Sequence, residues 1–168
     1  MQVSCFTFIK NGEILGYPFV ESIKSALPLC DEFVVNVGES VDDTLEIVKS
    51  INSPKIRIIE SKWNEKLTRK GYVYAQQKSI AQFNCTGDWA FYLEGDEIIH
   101  EQDYEAIKKA LRDNLENPKV EALAFKYVHF WGNYNTLLNN ANICRREARI
   151  IKNDLRVWTS DSLFFLVL

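Results

Sequence analysis

The chain has 168 residues, 46% hydrophobic and 26% charged, with 20 basic against 23 acidic side chains and a formal net charge of −3. Those values fit an ordinary globular domain with one core and exclude a disordered chain. The basic residues are scattered and lack the clustered patch that duplex nucleic acid requires, so nucleic acid is not an expected partner.

No apolar stretch is long enough to cross a bilayer; no transmembrane segment is expected, and any membrane association would be peripheral. Cys5, Cys30, Cys85 and Cys144 form no C-x-x-C pair, and no signal-like leader precedes the first strand-like run. We therefore expect reduced thiols and a cytoplasmic setting, extending to the inner face of the membrane.

In chain order, Val3 to Ile9 reads as a strand covered on both faces, because apolar residues run on without clean alternation. After the Asn11-Gly12 turn, Pro18 suits the start of a helix whose Phe19, Ile23 and Leu27 recur every four residues until Pro28 stops it. Phe33 to Val37 is a second buried strand, and Asp43 with Glu46 forms a capping-box pattern that opens a second helix through Leu45, Val48 and Ile51. Lys55 to Ile59 is a third strand, Tyr72 to Phe83 a third helix, and Trp89 to Leu93 a fourth strand.

This βαβα order predicts an α/β fold: a mostly parallel sheet with helices on both faces and ligands at the carboxyl ends of the strands. Beyond a helix over Tyr104 to Leu115 the pattern changes. Glu121 to Val128 and Arg145 to Ile151 are strand-like, Gly132 to Asn142 is polar and Asn-rich, and Leu163 to Leu168 reads as a buried strand or an amputated element. A smaller, mixed or antiparallel region is expected there, and the chain is expected to be one domain, complete or a fragment.

The densest chemistry lies in Thr86-Gly87-Asp88-Trp89-Ala90-Phe91-Tyr92-Leu93-Glu94-Gly95-Asp96-Glu97, an apolar strand that ends in acid. On an extended backbone, residues two apart point the same way. Glu94 and Asp96 would then present oxygens to one hard divalent cation, with Gly95 allowing close approach of a ligand. The competing reading of Glu-Gly-Asp by itself is a solvated turn.

The whole run resembles the T-G-D-(W/Y)-apolar-apolar-x-L-D-x-D-E segment of family 2 glycosyltransferases with the GT-A fold, a Rossmann-like architecture. Lys10-Asn11-Gly12-Glu13 is similar to that family's first nucleotide-facing loop, Gly38-Glu39-Ser40-Val41-Asp42-Asp43-Thr44 to its D-x-G-S-T-D-x-T loop, and Gln77-Lys78 to a Q-K pair of one branch. These matches keep their order over roughly residues 3 to 100.

The resemblance implies an inverting transferase that uses a divalent metal, Mn2+ or Mg2+, held by Asp96 and Glu94. It also implies a nucleotide diphosphate sugar donor near Lys10, Asn11, Glu13, Gly38, Asp42, Lys78, Glu94 and Gly95, and a glycan or glycolipid acceptor, at family level in bacterial cell-envelope glycan synthesis. Residues 1–100 would form the donor-binding half and residues 101–168 part of the acceptor side. Glu94 stands where Asp is usual, and its longer side chain reaches a metal directly or through water. Val37 stands where several members carry an Asp that contacts the base, and Asn36 is the substitute.

For the base that deprotonates the acceptor hydroxyl, the candidates downstream are Asp154 and Asp161, and Asp161, after Trp158-Thr159-Ser160, is preferred. His129 among Tyr127, Phe130 and Trp131 could stack on a sugar or sit as a partly buried structural histidine. Arg145, Arg146 and Arg149 around Glu147 could bind the acceptor or a phosphate, or form a local ion-pair network. Two other readings stay open: a non-catalytic remnant that binds nucleotide sugar, and a sugar-phosphate nucleotidyltransferase. The second lacks its usual Gly-rich basic loop after the first strand.

Overall fold

The computed structural model describes residues 1–67, 69–138, 146–154, 157–159 and 165–167. Its centre is a six-stranded sheet in the order β3-β2-β1-β4-β8-β5. The strands are β1 (Val3–Ile9), β2 (Glu32–Gly38), β3 (Ile56–Ser61), β4 (Trp89–Tyr92), β5 (Ala122–Lys126) and β8 (Arg146–Lys152). The first four run parallel, and β8 is antiparallel to both β4 and β5. The mostly parallel α/β architecture read from the sequence is thus the observed one, with the antiparallel strands in the second half of the chain.

Two apolar layers follow from strand alternation. Cys5, Phe33, Val35, Phe91 and Ile150 face one layer, which Phe19 and Ile23 of α1 (Phe19–Ala26), Val48 of α2 (Thr44–Ser50) and Ile107 and Leu111 of α4 (Tyr104–Asn114) complete. Phe6, Val34, Ala90, Tyr92 and Ile151 face the other, covered by Ala81 of α3 (Tyr72–Gln82). Helices therefore lie on both faces.

Chain connection sets the place of the site. From β1 the chain moves through α1 to β2 and on to β3, then returns through α3 to β4 on the other side of β1. Strand order reverses between β1 and β4, and in open α/β sheets that crevice, at the strands' carboxyl ends, is where ligands bind.

Differences from the sequence reading are local. The Asn-rich stretch holds a hairpin, β6 (Phe130–Trp131) with β7 (Asn133–Leu137), turning at Gly132 with φ 68°. Every residue of both strands is exposed, so the hairpin buries no face and leaves no periodic signal to read. Near the carboxyl terminus, β9 (Val157–Thr159) pairs antiparallel with β10 (Phe165–Val167). The capping box at α2 is not formed: Asp43 makes no side-chain cap, and Asp42 Oδ1 accepts the Thr44 N–H at 3.1 Å instead.

Candidate functional site

β4 stops at Tyr92, and Glu94 to Glu97 form a tight turn closed by the Glu97 N–H donating to the Glu94 carbonyl at 3.1 Å. The extended geometry expected for Glu94 and Asp96 is absent, because the strand ends before them. Their side chains consequently have different surroundings. Glu94 is half-buried on the α3 face of the sheet, while Asp96 is exposed at the tip.

The turn sits in the β1/β4 crevice. A Cβ on Gly95 would lie 3.2 Å from Ile9 Cδ1 and 3.7 Å from Phe19 Cβ, so the turn rests on the end of β1 and the start of α1. Ser22 of α1 donates its hydroxyl to the Glu94 carbonyl at 2.9 Å.

Arg149 of β8, only 5% exposed, organises this turn from beneath. Its Nε donates to both Glu97 oxygens at 3.1 and 3.0 Å, and its Nη2 to Glu97 Oε1 at 2.7 Å and Glu94 Oε1 at 2.9 Å. The guanidinium lies 5.3 Å from the Tyr92 ring centre and 5.5 Å from that of Tyr127. Glu97 also accepts the Tyr127 hydroxyl and, at 3.0 Å, the Glu94 N–H.

Electrostatics follow this packing. Burial pushes the Glu94 carboxyl above its ordinary value; Arg149 and Lys78 oppose that shift, while Glu97 and Asp96 add to it. Burial alone would weaken the Arg149 charge, but the bonds and charges of Glu97 and Glu94 hold the guanidinium more firmly protonated than usual. The Tyr92 hydroxyl is pushed well up, first by burial and then by the nearby carboxylates.

Lys78 of α3 is fully buried on the same face, its Nζ 4.1 Å from the Tyr92 ring centre and 3.9 Å from that of Phe165. Asn36 is also fully buried and gives both Nδ2 bonds, each 2.9 Å, to the carbonyl and side-chain oxygen of Gln77. It joins β2 to α3 rather than standing in an open cleft.

The remaining predicted residues knit the loop after β1 to the loop after β2. Asn11 gives its N–H to Ser40 Oγ at 3.0 Å and accepts the Val41 N–H at 2.9 Å. Glu13 accepts the Asp43 N–H at 3.1 Å, and Asp42 Oδ2 accepts the Ile14 N–H at 3.0 Å. Burial alone would raise the Asp42 carboxyl, yet these N–H groups and the Thr44 hydroxyl hold it below its usual range. Lys10 pairs with Glu65 at 3.2 Å and lies 5.4 Å from the Trp63 ring centre. Gly38 leaves room for that indole: a Cβ there would fall 2.3 Å from Trp63 Nε1.

Gly38 and Asp42 border a cleft of about 570 Å³ that also touches Glu39, Asp43, Glu46 and Glu60 but neither Glu94 nor Asp96. Its wall is acidic apart from Lys62, which pairs with Glu39 at 3.3 Å. The β1/β4 turn sets its carboxylates against the buried Arg149 and Lys78.

Among the described residues no three His, Cys, Asp or Glu side chains converge as a preformed metal cage. A small hard cation that binds with substrate phosphates needs only one or two protein carboxylates. Asp96 is exposed, and Glu94 Oε2 accepts no hydrogen bond among the described residues, so the turn fits such an ion. Asp161 lies outside the described residues. Glu97 is given no role in the sequence reading, Tyr127 is named there only among the aromatics around His129, and Arg149 only within the cluster around Glu147. Glu97 was visible as the last acid of the motif, and Arg149 only as one of several arginines.

The fold is one that solved nucleotide-sugar complexes share. TarS of S. aureus in complex with UDP-GlcNAc aligns over 68% of this chain and 32% of its own, with a TM-score of 0.52 at 20% identity. The mannosyltransferase PcManGT from Pyrobaculum calidifontis, in complex with GDP-Man and Mn2+, aligns over 76% and 35%, with a TM-score of 0.54 at 18% identity. In sequence the chain is similar to an uncharacterized glycosyltransferase of Rickettsia typhi, 31% identical over 101 residues, 60% of this chain and 30% of that protein. It is likewise similar to one of Rickettsia conorii, 28% identical over 115 residues, 68% and 33% of the two chains. The chain spans about a third of the length of these curated relatives. No family model matches it.

Proposed function

We propose that this chain is the GT-A domain of an inverting, family 2-like glycosyltransferase that moves a sugar from a nucleotide diphosphate donor to an acceptor hydroxyl. Residues 1–100 carry the donor side and residues 101–168 part of the acceptor side. The observation that carries this reading is the acidic turn at the β1/β4 crevice, with Asp96 exposed above the buried cations Arg149 and Lys78. Similarity to named glycosyltransferases and to folds solved with UDP-GlcNAc and GDP-Man supports it.

In this proposal Asp96 and Glu94 would hold Mn2+ or Mg2+, which would neutralise charge on the departing diphosphate. Arg149 and Lys78 add fixed positive charge below that position, in a buried setting where it acts more strongly than in water. Gly95 keeps the turn low enough for the donor to approach. The loops after β1 and β2, clasped by Asn11, Glu13 and Asp42, form one wall. Asp161 accepts the proton of the acceptor hydroxyl. A glycan or glycolipid of the bacterial cell envelope, met at the inner face of the membrane, is the acceptor class that the family resemblance suggests.

The test is calorimetry and thermal shift with uridine, guanosine and thymidine diphosphate sugars, with and without Mn2+, because a ligand that binds the native state raises apparent stability. At least one donor should stabilise the wild type in a metal-dependent manner, and Asp96→Ala should lose that effect. Unchanged metal-dependent affinity in Asp96→Ala, or no shift with any donor, would sink the proposal.

A further inference from the structure

Three carboxylates, Glu94, Asp96 and Glu97, crowd into one four-residue turn. In oxygen-ligand sites the number of ligand charges is a main determinant of how tightly a divalent ion binds. Although the three side chains do not converge as a preformed cage, their charge, left uncompensated, would favour a bare divalent ion.

It is compensated from within. The Arg149 guanidinium takes Glu97 in a forked grip and reaches on to Glu94 Oε1 at 2.9 Å, so two of the three carboxylates already face a cation. Arg149 cannot easily swing away, being 5% exposed and flanked by the Tyr92 and Tyr127 rings. Its Nη1 is buried with no hydrogen-bond partner among the described residues. A group present only to satisfy local packing would be expected to have its donors paired. Here the fork is aimed at the acids at the expense of one donor.

We propose that Arg149 is a positioning residue that prevents the turn from taking up a bare divalent ion, so that metal enters together with a nucleoside diphosphate. The inference rests on the donor-binding reading above. A bare ion meets Asp96 and one oxygen of a Glu94 whose other oxygen is bound to Arg149. An ion that arrives with a diphosphate brings its own oxygens, and the diphosphate charge is drawn toward Arg149 and Lys78. Binding of metal and nucleotide is then positively coupled, each tightening the other by the same factor.

Electron paramagnetic resonance of free Mn2+ measures this without any turnover. For the wild type, Mn2+ alone should bind weakly, and saturating uridine or guanosine diphosphate should tighten it by about tenfold or more beyond the Mn2+ that the same nucleotide chelates without protein. Arg149→Met removes the charge that opposes the ion and should bind Mn2+ alone about tenfold more tightly than the wild type. Arg149→Lys keeps the charge and should stay near the wild-type affinity. A purely structural role for Arg149 predicts no gain in the Met variant and no rescue by Lys.

Equal or weaker binding of bare Mn2+ by Arg149→Met overturns the inference. So does a wild type that binds the nucleotide yet holds Mn2+ as tightly without it as with it, a comparison that decides the matter even where the Met variant fails to fold. If no nucleotide binds the wild type but Arg149→Met still gains affinity for the bare ion, the donor reading fails while exclusion of the bare ion by Arg149 stands.

Discussion

The two ends of β4 carry acidic residues of one motif, yet they serve different purposes. At the amino end Thr86-Gly87-Asp88 uses most of its polar groups to hold strands together. Glu32 of β2 accepts the Ser4 hydroxyl at 2.6 Å and the Thr86 N–H and hydroxyl at 2.6 and 2.8 Å. Asp88 accepts the Gln2 N–H at 2.7 Å, and Asn153 donates to the Cys85 and Gly87 carbonyls at 3.0 and 2.9 Å. At the carboxyl end Glu97 and half of Glu94 are bound to Arg149, and Asp96 is left exposed. A latch and the proposed ligand site thus sit four residues of strand apart, and what separates them is that Asp96 is left exposed while the latch carboxylates accept hydrogen bonds.

The sharpest way to break this contrast is Gly87→Ala. Its Cβ would lie 2.8 Å from the Ser4 nitrogen and 2.9 Å from the Gln2 carbonyl oxygen, both backbone atoms that move only with β1. We expect a loss of about 1–3 kcal/mol in denaturant unfolding, as for other overpacked sites. A loss under a few tenths would show that the latch is looser than its geometry.

Asp96→Ala is the mirror test. Metal-dependent nucleotide binding should weaken by about tenfold or more, equivalent to about 1.4 kcal/mol. Stability should change by only about 0.5 kcal/mol or less, as for an exposed residue. A melting temperature that falls as far as that of the Gly87 variant would erase the distinction between the two ends.

Glu32 sharpens it through pH. Burial alone would raise its carboxyl, but Ser4, Thr86 and Arg57 hold it below the ordinary glutamate value. A depressed folded-state value means a contribution that is present above the unfolded pKa and is lost as pH falls through the folded one. Unfolding at descending pH should therefore show the wild type losing an increment that Glu32→Gln lacks throughout. At pH 7 the variant should be less stable by about 1 kcal/mol, typical of hydrogen bonds to a partly exposed charge. Parallel pH curves for the two proteins would count against this role.

The smallest effect is expected at Asp42, which caps α2 through Thr44 and ties down the Ile14 N–H. Asp42→Ala should cost about 1 kcal/mol or less of stability. Hydrogen exchange at the Ile14 and Thr44 amides should speed up while the β4 amides are unchanged.

Much of this was readable without coordinates. Continuous apolar runs at β1, β2 and β4, and helical spacing at Phe19 and Ile23, arise from local covalent periodicity, so strand and helix order could be stated from the chain alone. The hairpin at Phe130 to Leu137 escaped because an element that buries nothing imprints no pattern. The capping box misled because Asp42 and Asp43 both suit a helix start, and only the position of the neighbouring loop shows which carboxylate turns inward. Asn36, chosen as a base contact, is turned toward Gln77 by strand alternation and by where α3 packs.

By itself, then, the sequence determined an α/β sheet in βα succession and an acidic segment at the carboxyl end of its fourth strand. The strand order that puts this segment beside the β1/β4 reversal came from the structure. Only the tertiary structure decided that this segment is a turn rather than an extended pair of ligands. It also decided that Arg149, more than fifty residues away, grips Glu94 and Glu97 and leaves Asp96 exposed. The physical reason is that ion pairing depends on register. Phe91 pairs with Ile150 across the antiparallel β4/β8 ladder, which sets Arg149 beneath the turn, and no local property of either segment encodes that alignment.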